Sequence, residues 1–318
     1  MPRAFINSKF NMSNTEEAKL KIAFSPVYKY ELPEKHRFPM IKYELLPEQL
    51  VYEGTVTEDQ FFHPEKLSED VLLLTHDKAY WEKLKEQRLT RREIRAIGFP
   101  MSERLIERGR HIANGTVQCA LFAKQYGVAM NVAGGTHHSF TYKGEGFCVL
   151  NDIAIAANYL LDRQLAGKIL IIDLDVHQGN GTAQIFRKEK QVFTFSMHGA
   201  KNYPLRKEQS DLDIGLPDKT GDEVYLKKLR EVLPRLIDEV QPDFIFYLSG
   251  VDVLETDKLG RLSLSIAGCK ERDRFVLDSC RKNTIPVAVS MGGGYSERIA
   301  HIVEAHANTY RVAQELFF

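Results

Sequence analysis

Short apolar runs alternate with segments of helical periodicity along most of the chain, and this alternation restricts the fold more than any other feature. Seven runs are rich in Val, Ile and Phe and are bounded by Gly, Pro, Asp or Asn. Such runs are typical of strands that are buried on both faces of a sheet. The predicted strands are 21–25, 71–75, 128–133, 168–173, 191–197, 243–249 and 285–291.

Between the predicted strands, apolar residues recur at the spacing of amphipathic helices. The predicted helices are 102–126, 153–165, 224–240 and 267–281. Buried strands that alternate with helices pair in parallel, and the helices then cover both faces of the sheet. The sequence therefore predicts an α/β fold with one open, mainly parallel sheet. No linker or repeat interrupts 21–318, which we expect to form a single domain after a loose, polar extension over 1–20.

The composition argues against several classes of protein. The chain has 318 residues, and its 43 Lys and Arg balance 43 Asp and Glu, so the formal net charge is zero. A protein that binds nucleic acid through bulk charge would carry a basic excess. No apolar run reaches the roughly 18 residues of a membrane span, and the chain does not open on the apolar core of a signal peptide. We expect a cytoplasmic protein with no nucleic-acid partner and no membrane span.

The four cysteines are widely spaced and include no C-x-x-C pair. A disulfide framework or a thiolate zinc site is therefore not expected. A reducing compartment fits this cysteine usage better than an oxidising one.

Polar motifs follow four of the predicted strands, at the point where each strand ends. In open α/β sheets, ligands bind at the carboxyl ends of the strands. Because carboxyl ends of parallel strands meet at one edge, we expect these motifs to lie close together. They are Gly-Gly-Thr136-His137-His138, Asp173-Leu-Asp175-Val-His177-Gln-Gly-Asn180-Gly, Ser-Gly-Val-Asp252 and Gly-Gly-Gly-Tyr295.

The second motif has the residue types of a metal site. Asp173, Asp175 and His177 are two residues apart, so an extended backbone would point all three to one side. Asp175, His177 and a carboxylate from elsewhere would form a three-ligand site with an open position, which is typical of catalytic zinc. Taken alone, the same pattern also fits a polar loop, and Asp252 taken alone fits a capping residue.

In order and spacing, these motifs resemble the histone deacetylase family of the arginase/deacetylase superfamily. The resemblance runs from about Ile22 to the last predicted helix and also includes 36–43, 144–148 and 150–152. The segments 175–181 and 257–265 most resemble the class IV branch and its bacterial relatives.

The resemblance implies a fold and a catalytic centre. The family fold is an open, mainly parallel, eight-stranded sheet with helices on both faces. The implied ligands of Zn²⁺, or alternatively Fe²⁺, are Asp175, His177 and Asp252. His137 would pair with Asp173, and His138 with Asn180. Tyr295 matches the tyrosine that polarises the amide carbonyl.

The resemblance also implies a substrate tunnel and cation sites. Phe147 and Tyr203 match the aromatic walls of an acyl-lysine tunnel, Gly146 would accept a hydrogen bond from the substrate amide, and Leu259 would lie at the rim. A K⁺ or Na⁺ ion would be bound largely by backbone oxygens, with a second site near Phe186 and Val192. The implied residues of the first cation site are Asp173, Asp175, His177, Ser196 and Met197.

Three positions depart from the pattern of many relatives. Asn180 replaces an aspartate of class I members, so His138 should be less basic than His137 and should be the proton shuttle. Thr136 replaces an aromatic residue, which would widen the inner acyl pocket. Gly98 replaces an aspartate that clamps the peptide backbone, which puts a polypeptide substrate in doubt.

The sequence-based hypothesis is zinc-dependent hydrolysis of the amide of N-acyl-lysine in a protein or peptide. The alternative within the same class is an acetylpolyamine or another acylated small amine. A ureohydrolase would need further aspartates for a second metal ion, which the sequence does not place. A silent acyl-lysine-binding protein would be expected to lack a ligand, a histidine of the pair or the tyrosine, and all are present.

Overall fold

One sheet of eight strands organises residues 18–318, which are the residues described by this computed structural model. All strand pairings are parallel, in the order β2-β1-β3-β8-β7-β4-β5-β6. The strands are β1 (Lys21–Ala23), β2 (Phe61–Phe62), β3 (Val128–Asn131), β4 (Ile169–Asp173), β5 (Val192–Gly199), β6 (Leu212–Leu216), β7 (Phe244–Leu248) and β8 (Val287–Ser290). The predicted α/β class and eight-stranded sheet are confirmed.

Within residues 18–318, ten α-helices connect and cover the strands. They are α1 (Lys42–Tyr52), α2 (Glu69–Leu72), α3 (Lys78–Lys85), α4 (Arg91–Ile97), α5 (Glu103–Tyr126), α6 (Asp152–Asp162), α7 (Asn180–Phe186), α8 (Asp222–Val240), α9 (Ile266–Lys282) and α10 (Ile299–Phe317). One group of helices packs around α5 and α6, and another comprises α1, α8, α9 and α10. The central strands are buried at consecutive residues, as expected of strands covered on both faces.

The four predicted helices form within two residues of their predicted N-terminal ends, and local capping explains where three of them start. The Ser102 hydroxyl accepts a hydrogen bond from the Leu105 backbone N–H at 3.2 Å, and Asn151 and Ser265 cap α6 and α9 in the same way. Such a cap satisfies one of the free N–H groups of the first turn. At its other end, α5 stops at Gly127, whose positive φ of 87° suits glycine.

Six of the seven predicted strands are confirmed, and one prediction is wrong. The run 71–75 was expected to be a strand, but its first residues belong to α2, which starts after Ser68. A continuous apolar run cannot by itself distinguish a buried strand from a buried helix. The acidic residues Glu69 and Asp70 directly before it are the helix-start signal that decides the outcome.

Two strands were not predicted, and both lie at the edges of the sheet. β2 has only two residues, which is too short to show a pattern. β6 alternates buried or half-buried residues with exposed ones and includes Asp213 and Gly215. Neither strand therefore has the continuous apolar run by which central strands are found.

The topology brings the polar motifs together. β3, β8, β7 and β4 are consecutive neighbours in the sheet, and they are the four strands that the motifs follow. Their last residues lie level, since Asn131 pairs with Ser290, and Leu248 pairs with both Ser290 and Asp173. The four motifs therefore leave the sheet side by side.

Two expectations concern the chain as a whole. Residues 1–17 of the predicted N-terminal extension lie outside the described residues, whereas Leu20 is fully buried. Within residues 18–318, no helix combines the length and the apolar character that crossing a bilayer requires.

Candidate active site

Asp175, His177 and Asp252 form a buried cluster, in which one potential ligand atom from each residue lies within 4.8 Å of the others. Nδ1 of His177 is 3.0 Å from Oδ1 of Asp175 and 3.1 Å from Oδ2 of Asp252. Backbone N–H groups hold the carboxylates: His177 donates to Asp175 at 3.0 Å, and Val176 donates to Asp252 at 2.9 Å. The two carboxylates and the imidazole thus converge on one point.

A bound cation would balance the negative charges of this cluster. Burial and the negative charge of Asp175 raise the pKa of Asp252 to about 7. Burial would lower the pKa of His177, but its hydrogen bonds to both carboxylates, together with their charges, raise it to about 10. Nδ1 of His177 therefore lies between two carboxylates and marks the place where positive charge is needed.

Two glycines keep space open around the carboxylates. A Cβ atom on Gly250 would lie 2.3 Å from Oδ2 of Asp175, and one on Gly293 would lie 2.1 Å from Oδ2 of Asp252. The Gly293 N–H also donates to Oδ2 of Asp175 at 2.9 Å. The backbones after β7 and β8 thus approach the carboxylates more closely than any side chain would allow. The cluster has the donor set and the space to hold a metal ion.

Arg272 supports the two loops that carry these side chains, a role that the sequence did not predict. The guanidinium is fully buried and donates to the carbonyls of Gly250 at 2.6 Å and Leu174 at 3.2 Å. Asp273 balances its charge at 2.8 Å. Because the Arg272 side chain hydrogen-bonds both loops, it fixes the distance between them.

His137 and His138 lie beside the cluster, with ring centres 4.1 Å apart. Nδ1 of His137 is 2.7 Å from Oδ2 of Asp173, and Nδ1 of His138 is 2.6 Å from Oδ1 of Asn180. Burial opposes protonation of His137, but the charges of Asp173 and Asp175 and the hydrogen bond to Asp173 together outweigh it and raise the pKa of His137. Burial and the neighbouring His137 lower the pKa of His138 well below its usual value. A higher pKa for His137 than for His138 is expected, because Asp173 is charged and Asn180 is not.

Asp152, at the start of α6, orients the loop that carries the histidine pair. Its carboxylate accepts hydrogen bonds from the backbone N–H groups of Gly135 at 3.2 Å and Thr136 at 2.8 Å. The hydroxyls of Thr116 and Ser290 donate to it at 2.7 and 3.1 Å. The sequence signals only a helix start here, so this role was not predicted.

Glu145 connects two residues of the site and was also missed. One of its carboxylate oxygens, Oε1, accepts from the amide of Asn180 and from the hydroxyl of Tyr203, both at 2.7 Å. Lys143 lies 2.8 Å from the other oxygen. Glu145 thereby fixes the amide orientation of Asn180, so that its oxygen faces His138. The Tyr203 ring packs against His138 with centres 4.9 Å apart.

An opening of about 410 Å³, here called the mouth, leads to the cluster. The predicted tunnel residues Gly146, Phe147, Tyr203 and Leu259 all line it, together with Tyr295. Backbone hydrogen bonds from Gly146 and Phe147 to 96–97, at 2.9 and 2.7 Å, fix one wall. The structure thus assembles the predicted wall and rim residues around one opening.

Below the mouth lies a smaller inner cavity of about 40 Å³. Its lining includes the histidine pair, Tyr295, Thr136, Tyr43 and Arg108. The hydroxyl oxygen of Thr136 lies 2.6 Å from the Leu150 carbonyl oxygen and 2.5 Å from Oδ1 of Asp152, so it is held against the wall. The inner cavity holds only about three water-sized groups.

The residues predicted for a monovalent cation lie at the ends of β4 and β5 and in the loop after β4. Asp173 pairs in register with Ser196, and Met197 follows in β5. Asp173, Ser196 and Met197 are buried, as are Asp175 and His177. The structure brings these residues to one edge of the sheet, and cation binding by them stays a prediction.

Comparison with solved structures identifies the fold. The crystal structure of an HDAC homolog from Aquifex aeolicus matches with a TM-score of 0.79 at 23% sequence identity. The match covers 93% of this chain and 84% of that chain. The arginase/deacetylase fold that the sequence resemblance implies is confirmed.

Sequence comparisons agree with the fold. An uncharacterised protein of Picosynechococcus sp. is 42% identical over 296 residues, which cover 93% of this chain and 99% of that protein. Histone deacetylase 2 of Arabidopsis thaliana is 28% identical over 298 residues, which cover 90% of this chain and 77% of that protein. Residues 36–310 match the histone deacetylase domain. The chain therefore belongs to the histone deacetylase family.

Proposed function

We propose that this protein hydrolyses the amide of N-acyl-lysine, with zinc bound by Asp175, His177 and Asp252. The observation that carries the proposal is the convergence of this buried cluster with a histidine pair and a tyrosine around one cavity. Two carboxylates and one imidazole suit zinc and leave a coordination position open. When bound, zinc would supply Lewis acidity toward the scissile carbonyl and make a water acidic enough to attack at neutral pH.

His138 is the proposed proton shuttle. Its Nδ1 is bonded to Asn180, so the free Nε2 is available to a proton in the cavity. Its pKa lies well below the usual value because of burial and the neighbouring His137, so the ring is neutral and able to accept a proton. His138 takes the proton of the attacking water and then gives it to the departing lysine amine. His137, paired with Asp173, contributes positive charge beside it.

Tyr295 is the proposed donor to the carbonyl oxygen. Burial and the nearby charges of Asp252 and Asp175 raise its pKa well above the usual value, so the hydroxyl keeps its proton. Its backbone N–H donates to Asp257 at 2.6 Å, and its ring packs 5.9 Å from that of Phe147. A donor fixed in this way stabilises the negative charge that develops on oxygen during hydrolysis.

The mouth supports acyl-lysine over an acetylpolyamine. Its charged side chains are Arg37 and Arg95, and no acidic side chain is among the described residues that line it. A polyamine carries additional ammonium groups, which two arginines repel. Phe147 and Tyr203 offer apolar walls to the alkyl part of lysine. Because Gly98 offers no carboxylate for a peptide backbone, recognition depends on the acyl-lysine side chain.

The test compares an acetyl-lysine peptide with acetylpolyamines, alongside metal analysis of the purified protein. We expect release of acetate from the peptide, inhibition by a hydroxamate, and about one bound zinc ion per chain. His138→Ala should lower turnover at least about 100-fold, which is typical of losing a general acid–base group. His301→Ala is the matched control, since His301 does not line the mouth or the inner cavity.

Four results would count against the proposal. Hydrolysis of neither substrate class would refute a deacetylase function for the site. Faster turnover of acetylpolyamines would refute the acyl-lysine assignment. Wild-type turnover in His138→Ala would refute the shuttle role, and bound iron in place of zinc would refute the metal assignment.

A further inference from the structure

Arg108, on α5, is a buried cation without a carboxylate partner. Only 4% of this residue is exposed, and no carboxylate of residues 18–318 lies within ion-pair distance. Nε donates to the Tyr28 carbonyl at 2.7 Å. Its Cζ lies 5.0 Å from the ring centre of Tyr43 and 6.0 Å from that of Phe99. These contacts compensate a buried charge only in part.

Lys42, on α1, is a second buried cation beside the same tyrosine. It is fully buried, and its Nζ donates to the Gly292 carbonyl at 3.2 Å. Nζ lies 5.6 Å from the Tyr43 ring centre, and no carboxylate of the described chain lies within 4 Å of it. Two like charges in a low-dielectric region repel each other, and an anion bound at Arg108 would lower this cost.

The inner cavity gives an anion access to Arg108. Arg108 and Tyr43 line this cavity together with the histidine pair and Tyr295. The cavity therefore extends from the reacting groups to the unpaired guanidinium. Its volume of about 40 Å³ admits a short acyl chain and not a long one. An arginine fork binds a carboxylate through two parallel hydrogen bonds.

We propose that Arg108 binds a carboxylate at the far end of a short acyl chain, so that acidic acyl groups such as malonyl are preferred substrates. This inference rests on the proposed acyl-lysine hydrolysis and adds its acyl specificity. Water attacks the amide carbonyl, the C–N bond breaks, and the products are malonate and the lysine amine, which takes up a proton. The step needs no further reactant.

The test uses three peptides with one sequence that carry acetyl-, malonyl- or isovaleryl-lysine. Isovaleryl has the branched shape of malonyl but no charge, so the ratio of their kcat/KM values isolates the effect of the carboxylate. We expect the wild type to prefer malonyl over isovaleryl at least about tenfold, in line with one hydrogen-bonded charge pair. Arg108→Met should abolish or reverse this preference while still hydrolysing the acetyl peptide.

The matched control is Arg110→Met, two residues further along the same helix. Arg110 donates to the Leu67 carbonyl at 2.7 Å and packs 5.4 Å from the Trp81 ring centre, away from the inner cavity. Its loss removes an arginine from α5 without touching the cavity. We expect this variant to keep the wild-type ratio of malonyl to isovaleryl hydrolysis.

The outcomes separate this inference from the proposed function. Failure to hydrolyse even the acetyl peptide would refute the function itself. Acetyl hydrolysis with no preference for malonyl over isovaleryl in the wild type would refute the inference. An unchanged preference in Arg108→Met would also refute it, since the carboxylate would then be bound elsewhere, for example by the metal. If Arg108→Met does not fold, Arg108→Lys should lower the ratio, and an undiminished ratio there would refute the assignment.

Discussion

Substituting Gly293 by alanine tests whether the Asp-His-Asp cluster is a metal site. The backbone of Gly293 has no positive φ, so alanine fits its conformation and the only change is the added Cβ atom. That atom would lie 2.1 Å from Oδ2 of Asp252 and 2.8 Å from Oδ2 of Asp175. Both carboxylates would have to move away from it.

The size of the effect follows from this geometry. Cβ atoms are essentially never found closer than 3.0 Å to another group, so Oδ2 of Asp252 must shift by about 0.9 Å. Metal sites tolerate deviations of about 0.2 Å in ligand distance. The displaced carboxylate can therefore not keep its place as a ligand. We expect metal affinity to fall at least about 100-fold, which corresponds to about 2.8 kcal/mol.

The assay is competition for zinc between the protein and a chromophoric chelator of known affinity, with acetyl-lysine turnover measured at the same free zinc concentrations. Gly221→Ala is the control, because a Cβ there would lie at an ordinary 3.6 Å from the Ser263 carbonyl oxygen. The control should bind zinc as the wild type does. Wild-type zinc affinity in Gly293→Ala would refute the reasoning, because the two carboxylates could then not both be ligands.

Two further perturbations address the oxyanion donor and the buried histidines. Tyr295→Phe should lower kcat by about two orders of magnitude with little change in KM or in circular dichroism; a wild-type kcat would refute the role of its hydroxyl. Burial lowers the pKa of His76 to about 4 from an unfolded value of 6.5, and its ring bonds the Phe140 carbonyl and the Asn151 N–H. The unfolded chain therefore binds a proton over this range that the folded protein does not, and stability falls as the pH drops from 6.5 toward 4. Urea unfolding of the metal-free protein should show a loss of about 2 kcal/mol between pH 7 and pH 5 beyond that of His76→Gln; equal losses in both proteins would refute this assignment.

The sequence revealed which residues leave the strand ends, but not that those strands are neighbours. The motifs that contain Asp175, Asp252, His137 and Tyr295 are each recognisable, because a polar residue follows an apolar run. Their convergence depends on the strand order β3-β8-β7-β4, which differs from the order along the chain. Strand order is set by packing between distant segments, which a local pattern does not contain. The family resemblance supplied this missing information.

Residues that orient other side chains or loops are harder to recognise from the sequence. Glu145 carries its function only because Asn180 and Tyr203 both reach Oε1, and these three residues are far apart in sequence. Asp152 appears locally as an ordinary acidic residue in the first turn of a helix. Both roles depend on hydrogen bonds that form after the chain has folded.

Arg108 and Arg272 differ from these residues, because their positions in the sequence are themselves informative. On α5, Arg108 falls between Leu105 and Ile112 on the buried side of the helix. On α9, Arg272 falls between Cys269 and Val276 in the same way. A charged residue at a position reserved for apolar side chains costs several kcal/mol unless something binds it.

The groups that bind each charge distinguish Arg272 from Arg108. Arg272 has Asp273 and three backbone carbonyls, so its charge is balanced within the fold and its role is to hold the loops of the cluster. Arg108 has a carbonyl and two aromatic rings but no carboxylate among residues 18–318, and it lines the inner cavity. This difference is the reason that we assign Arg108, at the end of a cavity beside the reacting groups, to an anion that arrives with the substrate.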